Sequence, residues 1–424
     1  MRAVRLHPFP EVTSEECPHC RVPLSVVGWH IPGMRNLADL RCTRCTREFY
    51  GDLAAGQALY TPMLLEKATG TVHDAHGVDW FAGWLRDSYA RRVDVPLPFN
   101  VQERLPVTRQ VVLLNCLDTL YGHSLLKLLN AQYYLDQRAD VDLIVLVPSF
   151  LTWMVPDGVA QVWEVGLPLR RGTEWNEWLA REIRRRVEAF EGVSLSHALS
   201  HPRPDDFDIE RFTRVEPFAL DEWDARLKWP TVTFIWRDDR PWVARTSPTP
   251  ESRRERLERL IRRPTYSARR QHRLVIALAE ALRREWPALD FAVAGLSDAG
   301  KVLALPAWIT DLRCSTMDHN TERRWCERYA ESHIVVGVHG SNMLLPSAHA
   351  GSVVELIGTE RWGNFAQDIL FREVADCREL LFRYRFVSNS TQPLALAQLI
   401  TLLLRGRENF RHLMNVARPG ADEP

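Results

Sequence analysis

Lysine is almost missing from this chain: Lys67, Lys127, Lys228 and Lys301 are the only four among 54 basic residues. The others are arginine, a planar donor suited to phosphate, although genome composition alone would produce the same skew. A charge excess is also missing, since 54 Lys+Arg balance 54 Asp+Glu. A neutral chain has no overall field to draw it onto nucleic acid or an acidic membrane, so neither is an expected partner. No run approaches the ~18 apolar residues of a membrane span. Met1 to Pro10 shows neither the basic start nor the apolar stretch of a signal peptide, which makes the cytoplasm the expected location. The strings GxSxG and GxxxxGK[ST] do not occur, which argues against an α/β hydrolase elbow and a P-loop kinase.

Cysteine is unevenly spent. Of the eight cysteines, Cys116, Cys314, Cys326 and Cys377 are scattered singly and read as small apolar residues in a reduced compartment. The other four form two hooks, Cys17-Pro-His-Cys20 and Cys42-Thr-Arg-Cys45. Each hook turns tightly enough for both sulfurs to reach one tetrahedral ion, and the apolar runs Leu24–Trp29 and Leu37–Leu40 between them complete the pattern of a zinc ribbon. Two disulfides are the competing account, disfavoured by the missing signal peptide. Four thiolates close the coordination sphere, so the expected Zn2+ is structural and no catalytic metal is expected. The arginines around the hooks are offset by Glu11, Glu15, Glu16, Asp39 and Glu48, which points to a protein-docking or purely structural ribbon. His19 and His30 could each replace a ligand, but four cysteines suffice.

Beyond the ribbon (1–52), residues 53–108 read as a connector with one helix around Trp80 to Tyr89. Strand and helix signals then alternate. Gln110–Asn115 and Asp142–Val147 have the continuous apolar character of buried parallel strands, and Val159–Val165 resembles another. Leu125–Leu135 and Glu174–Phe190 read as helices. This makes residues 109–200 one α/β domain. A polar, proline-interrupted stretch at 201–229 suits a linker. A second α/β domain at 230–390 follows, with strands at Thr231–Trp236, Asp290–Ala294, Ile334–Val338 and Ser352–Ile357 and helices at Ser267–Trp286 and Thr321–Ala330. Residues 391–424 hold a terminal helix, Pro393 to Asn415. The fold class is α/β with parallel sheets, and two such units imply a cleft.

The sharpest segment is IVVGVHGSNMLLPSAHAGSVVELI, residues 334–357. A buried strand ends at Val338 and breaks into His339-Gly340-Ser341-Asn342. Gly340 allows close approach of a ligand, Ser341 and Asn342 are placed to cap the next helix, and that helix start favours phosphate. His349 reads as packing. Upstream, Thr231–Trp236 ends in Arg237-Asp-Asp-Arg240; bidentate guanidinium contacts suit a pyrophosphate, while a salt bridge from Arg237 to Asp238 or Asp239 is the alternative. His339 could bond a phosphate oxygen or serve structure alone. Glu355 stands inside an apolar strand, where a buried carboxylate needs a partner.

GVHGSNMLLPSAHAGSVVEL resembles the donor-side signature of family 61 glycosyltransferases, roughly GxHGAGLxNxLF…P…VxEL, with Ser-Asn-Met in place of a longer Gly-rich loop. The resemblance covers about residues 230–375; the first α/β domain matches only in layout. It implies a GT-B fold of two Rossmann-like domains and inverting transfer of a sugar from a nucleotide-diphosphate donor to a hydroxyl acceptor. It also implies that Arg237 and Arg240 face the pyrophosphate, that His339, Gly340, Ser341 and Asn342 form the donor loop, and that Glu355 meets a ribose hydroxyl or a loop amide. Inverting transfer needs a base near the acceptor hydroxyl. In the acceptor-side domain, the loop after 110–115 offers Asp118, which is also placed to cap its turn, and His123, which could simply begin a helix. Trp153, Trp163, Trp175 and Trp178 could stack on a sugar or pack a core. The contrasting expectation is a catalytically inactive α/β scaffold that binds a protein or nucleic-acid partner through its ribbon.

Overall fold

The computed structural model describes residues 6–8, 15–59, 63–74, 77–203, 206–242, 266–298, 303–371 and 376–414. Lys301, Glu11 and the part of the expected terminal helix beyond Met414 lie outside them. The chain divides into two compact units, Met1–Asp208 and Ile209–Pro424.

The first unit contains two sheets. The smaller is antiparallel, in the order β2 (Leu24–His30), β3 (Leu37–Cys42), β4 (Glu48–Asp52), β5 (Leu64–Glu66) and β6 (Val72–His73). The larger has the order β1 (Leu6–Pro8), β11 (Val193–Ser196), β8 (Gln110–Asn115), β9 (Val141–Pro148), β10 (Gln161–Val165) and β7 (Phe99–Glu103). Strands β11, β8, β9 and β10 run parallel, and β1 and β7 close the edges antiparallel. Helices α1 (Asp79–Ala90), α2 (Tyr121–Leu129), α3 (Ala131–Gln137) and α4 (Glu177–Val187) accompany these strands. The Asn176 side chain caps α4 by accepting from the Leu179 amide at 3.2 Å, which fixes where that helix starts.

Two expectations change here. The stretch 53–108 is no bare connector: besides α1 it supplies β5 and β6 to the small sheet and β7 to the large one. The ribbon is not a free-standing module either. Cys17, Leu24, Ile31, Leu40, Cys42 and Phe49 share one apolar core with Val111, Leu113, Ile144, Trp163 and Leu179. At about 1.5–3 kcal/mol per large buried side chain, that shared core ties the ribbon to the α/β sheet. Trp163 and Trp175 are both fully buried, so their indoles serve packing rather than sugar stacking.

The second unit is built on one parallel six-stranded sheet: β14 (Thr310–Cys314), β13 (Asp290–Leu296), β12 (Thr231–Arg237), β15 (Ile334–Val338), β16 (Ser352–Ile357) and β17 (Tyr384–Ser388). Counted from β12, the order is 3-2-1-4-5-6, the doubly wound Rossmann order. The turning point of that order lies between β12 and β15. Its described α-helices are α5 (Ile209–Thr213), α6 (Trp223–Arg226), α7 (Tyr266–Glu285), α8 (His319–Glu331), α9 (Leu344–His349), α10 (Cys377–Arg383) and α11 (Pro393–Met414). The α7 stripe Val275, Leu278, Ala279 and Leu282 packs with Phe234, Phe291 and α11 residues Leu396, Ile400 and Leu404. The expected linker 201–229 includes α5 and α6, and its Trp223 and Phe218 sit in this core. Proline there interrupts helices without preventing burial.

Candidate functional site

Each hook of the small sheet has the same backbone geometry. Cys17 O accepts from Arg21 N at 2.9 Å and Cys42 O from Thr46 N at 3.0 Å; Cys17 N donates to Val22 O and Cys42 N to Arg47 O, both at 2.9 Å. Arg21 (φ 57°) and Thr46 (φ 61°) take the left-handed conformation that completes each knuckle. The four sulfurs lie within 4.8 Å of one another, with Cys17–Cys45 at 3.6 Å and Cys20–Cys42 at 3.4 Å. None of the four sulfurs is bonded to another in the structure. Tetrahedral thiolates at about 2.3 Å from an ion stand roughly 3.8 Å apart, so this set could hold a metal ion with little movement.

In the first unit, the sequence-predicted base residues follow β8. Asp118 is buried; its Oδ1 accepts from the amides of Thr119 (2.8 Å) and Leu120 (3.2 Å), and Oδ2 lies 2.7 Å from Lys127 Nζ. Burial opposes the charge, but Lys127 and His123 outweigh it and hold the carboxyl well below the usual range. His123 Nδ1 lies 3.5 Å from Asp118 and 2.6 Å from Gln57 Nε2. The 3-10 turn Gly56–Leu59 is close at hand: Gly56 N donates to His197 O at 2.7 Å, just beyond β11. Asp118 is therefore a turn-capping, ion-paired group, while His123 keeps 19% side-chain exposure.

In the second unit, Arg237 and Arg240 at the carboxyl end of β12 both reach the turn that follows β15. Arg240 Nη1 donates to His339 O at 2.7 Å; Arg237 Nη1 donates to the same oxygen at 3.4 Å and to Asn342 Oδ1. Gly340 makes this convergence possible. Its φ of 144° and ψ of 176° belong to a region that glycine alone occupies freely, and a Cβ there would stand 2.4 Å from Arg237 Nη1. The alternative partner anticipated for Arg237 is present: Nε and Nη2 grip Asp239 at 2.9 and 2.5 Å. That aspartate side chain is 68% exposed while that of Arg237 is 15% exposed, so water reaches the carboxylate side of the pair, where a competing anion would enter. Burial and the nearby guanidiniums of Arg237 and Arg361 lower the Arg240 pKa from its ordinary value.

Behind this turn lies a buried acid network. His339 Nδ1 is 2.6 Å from Glu355 Oε1 and 3.3 Å from Asp368 Oδ2, and the Tyr384 hydroxyl donates to Glu355 Oε2. Gly340 N donates to Asp368 Oδ2 at 3.1 Å. Glu355 is thus held by a histidine ring and a tyrosine, and the Gly340 amide goes to Asp368 rather than to it. Ser341 and Asn342 do not cap by side chain: Gly340 holds the cap position of the 3-10 turn Ser341–Met343, while Asn342 Nδ2 donates back to Val338 O at 3.3 Å. Burial and the Glu355 carboxylate push the Asp368 carboxyl up to about 7. His349, read as packing, is buried, with Nδ1 2.8 Å from Leu345 O and Nε2 2.9 Å from Thr213 Oγ1. Sequence reasoning missed Asp368 and Tyr384. Glu355 advertised itself as a charge in an apolar strand; Asp368, in GNFAQDIL, had no such contrast.

No protein-family profile and no curated protein matches the chain. Among solved structures, E. coli ADP-heptose LPS heptosyltransferase II aligns with 71% of this chain and 100% of its own, at 12% identity and a TM-score of 0.39. A Listeria monocytogenes protein assigned as a UDP-N-acetylglucosamine 2-epimerase aligns with 74% of this chain and 93% of its own, at 8% identity and a TM-score of 0.37. An E. coli heptosyltransferase with ADP aligns with 70% and 100%, at 11% identity and a TM-score of 0.34. Likeness at this level says nothing about what this chain binds.

Proposed function

We propose that this protein is a GT-B glycosyltransferase, moving a sugar with inversion from a nucleotide-diphosphate donor to a hydroxyl acceptor, with the donor held by the second unit. The observation that carries the reading is the pairing of Arg237 and Arg240 over the His339–Gly340 turn, at the carboxyl ends of β12 and β15. Those two strands flank the point where the sheet order turns, where open α/β sheets bind ligands. A diphosphate would displace the exposed Asp239 carboxylate from Arg237 and gain two charge-assisted hydrogen bonds from a fixed fork. The departing nucleoside diphosphate needs its charge neutralised, and two guanidiniums supply that without a catalytic metal. Gly340 keeps the turn free of a side chain, so the backbone can approach the phosphates. Ser341 and Asn342 follow it.

For the base on the acceptor side, the geometry favours His123 over Asp118, whose carboxylate is consumed by Lys127 and two amides. The four-cysteine knuckle pair suits Zn2+ by donor type and spacing, as a structural ion. Because the ribbon's apolar face lies in the same core as the α/β sheet, a staple fits better than a scaffold that works through its ribbon.

Thermal-shift measurement against a panel of UDP-, GDP-, ADP-, CMP- and dTDP-sugars tests the reading. Stabilisation by one diphosphate donor, lost in Arg237→Ala, is expected. Stabilisation that survives unchanged in Arg237→Ala overturns the clamp, and no stabilisation by any member of the panel overturns the donor class.

A further inference from the structure

A second cluster of metal-binding side chains lies beside the knuckles and plays no part in the reading above. His19 sits inside the first hook, between Cys17 and Cys20; Glu66 ends β5, and His73 ends β6. One ligand atom from each lies within 4.8 Å of the other two. His19 Nε2 is 3.4 Å from Glu66 Oε2. Nitrogen and oxygen ligands at about 2.0–2.2 Å from an ion stand roughly 3.3–3.5 Å apart, so this pair already has the required bite. The His19 and His73 rings meet edge to face at 5.9 Å, and each centroid lies 6.3 Å from that of Phe49.

Two further observations point to a ligand. His73 Nε2 is buried and has no hydrogen-bond partner among the described residues, an uncompensated cost unless something coordinates or bonds to the ring. Glu66 is only 3% exposed and is fixed by neighbours: Arg47 pairs with Oε1, the oxygen turned from His19, and Thr69 Oγ1 donates to Oε2 at 3.1 Å. Carboxylate ligands are oriented in this way by neighbours that do not themselves touch the ion. The positive Arg47 is a cost for a nearby cation. It is offset because four thiolates around one divalent ion keep a net negative charge, and Cys17 and Cys45 are near enough to act on Arg47.

We propose that His19, Glu66 and His73 form a second divalent-metal site, taking Zn2+ or a cation of similar softness such as Co2+. Two imidazoles and a carboxylate suit these ions, and three protein ligands leave a fourth position open to water or a small ligand, unlike the closed four-cysteine set.

Native mass spectrometry on the full chain, equilibrated with zinc and desalted, counts the ions. Two per chain are expected, falling to one in His19→Ala and in the double variant His19→Ala/His73→Ala. Co2+ added to chain holding a single zinc should then give ligand-field absorption without thiolate-to-cobalt charge transfer. A single zinc in the unaltered chain overturns the site. So does a second zinc that persists in the double variant, or a charge-transfer band for the added cobalt. His19 has a partly exposed side chain, so its single variant remains informative if the double variant does not fold.

Discussion

Both units place a turn at the point where the order of their parallel strands reverses, and they use it in opposite ways. In the first unit the turn lies after β8, next to β11; in the second it lies after β15, next to β12. The first is filled from within its own unit: Asp118 is paired with Lys127 and its own turn amides, Gln57 reaches His123, and Gly56 bonds beyond β11. The second presents two guanidiniums; among the described residues Arg237 is ion-paired with the exposed Asp239, while Glu355 and Asp368 lie behind the turn on His339. Strand order alone makes a crevice. Whether it becomes an anion site depends on whether its charges are already spent.

The largest effect expected from this contrast is at Lys127. Lys127→Met leaves Asp118 buried without its cation and should cost about 3–5 kcal/mol in denaturant unfolding, while adding Asp118→Asn should restore a large part of that loss. A cost near zero would mean that the first turn is as open as the second. Next comes Gly340→Ala, which forces a side chain into a glycine-only conformation against Arg237. About 1–3 kcal/mol is expected, with loss of donor binding as well; unchanged stability and binding would remove Gly340 from the account.

A smaller, pH-dependent effect belongs to the acids behind the second turn. With the Asp368 carboxyl raised to about 7, the folded state holds a proton that the unfolded chain gives up near 4. Stability from this group is therefore full below pH 4 and declines as pH rises towards 7. Asp368→Asn should match the unaltered protein near pH 4 and exceed its melting temperature at pH 8. Equal melting temperatures at both pH values would show that Asp368 carries no such strain.

Much of this could be read in the sequence because apolar runs are local signals. The strands at 110–115, 334–338 and 352–357 announced themselves, as did the two hooks. What failed to show depended on distant partners. β14 and β17 are short and mixed in polarity, so they pair only because a neighbouring strand edge exists. The 53–108 stretch looked weakly periodic because its pieces serve two different sheets. At the site, the pairing of Arg237 with Asp239 was open from adjacency alone, and Glu355 was marked by its apolar neighbours. Its true partners, His339 and Tyr384, lie 16 and 29 residues away and meet it through strand register.

Calorimetric titration of a nucleoside diphosphate against the unaltered chain, Arg237→Ala and Arg240→Ala tests the central claim most directly. The account predicts a loss of at least about tenfold in affinity for each variant, which corresponds to about 1.4 kcal/mol, beyond any modest fall in melting temperature from the lost hydrogen bonds to His339 O and Asn342 Oδ1. Equal affinity in all three proteins would contradict it.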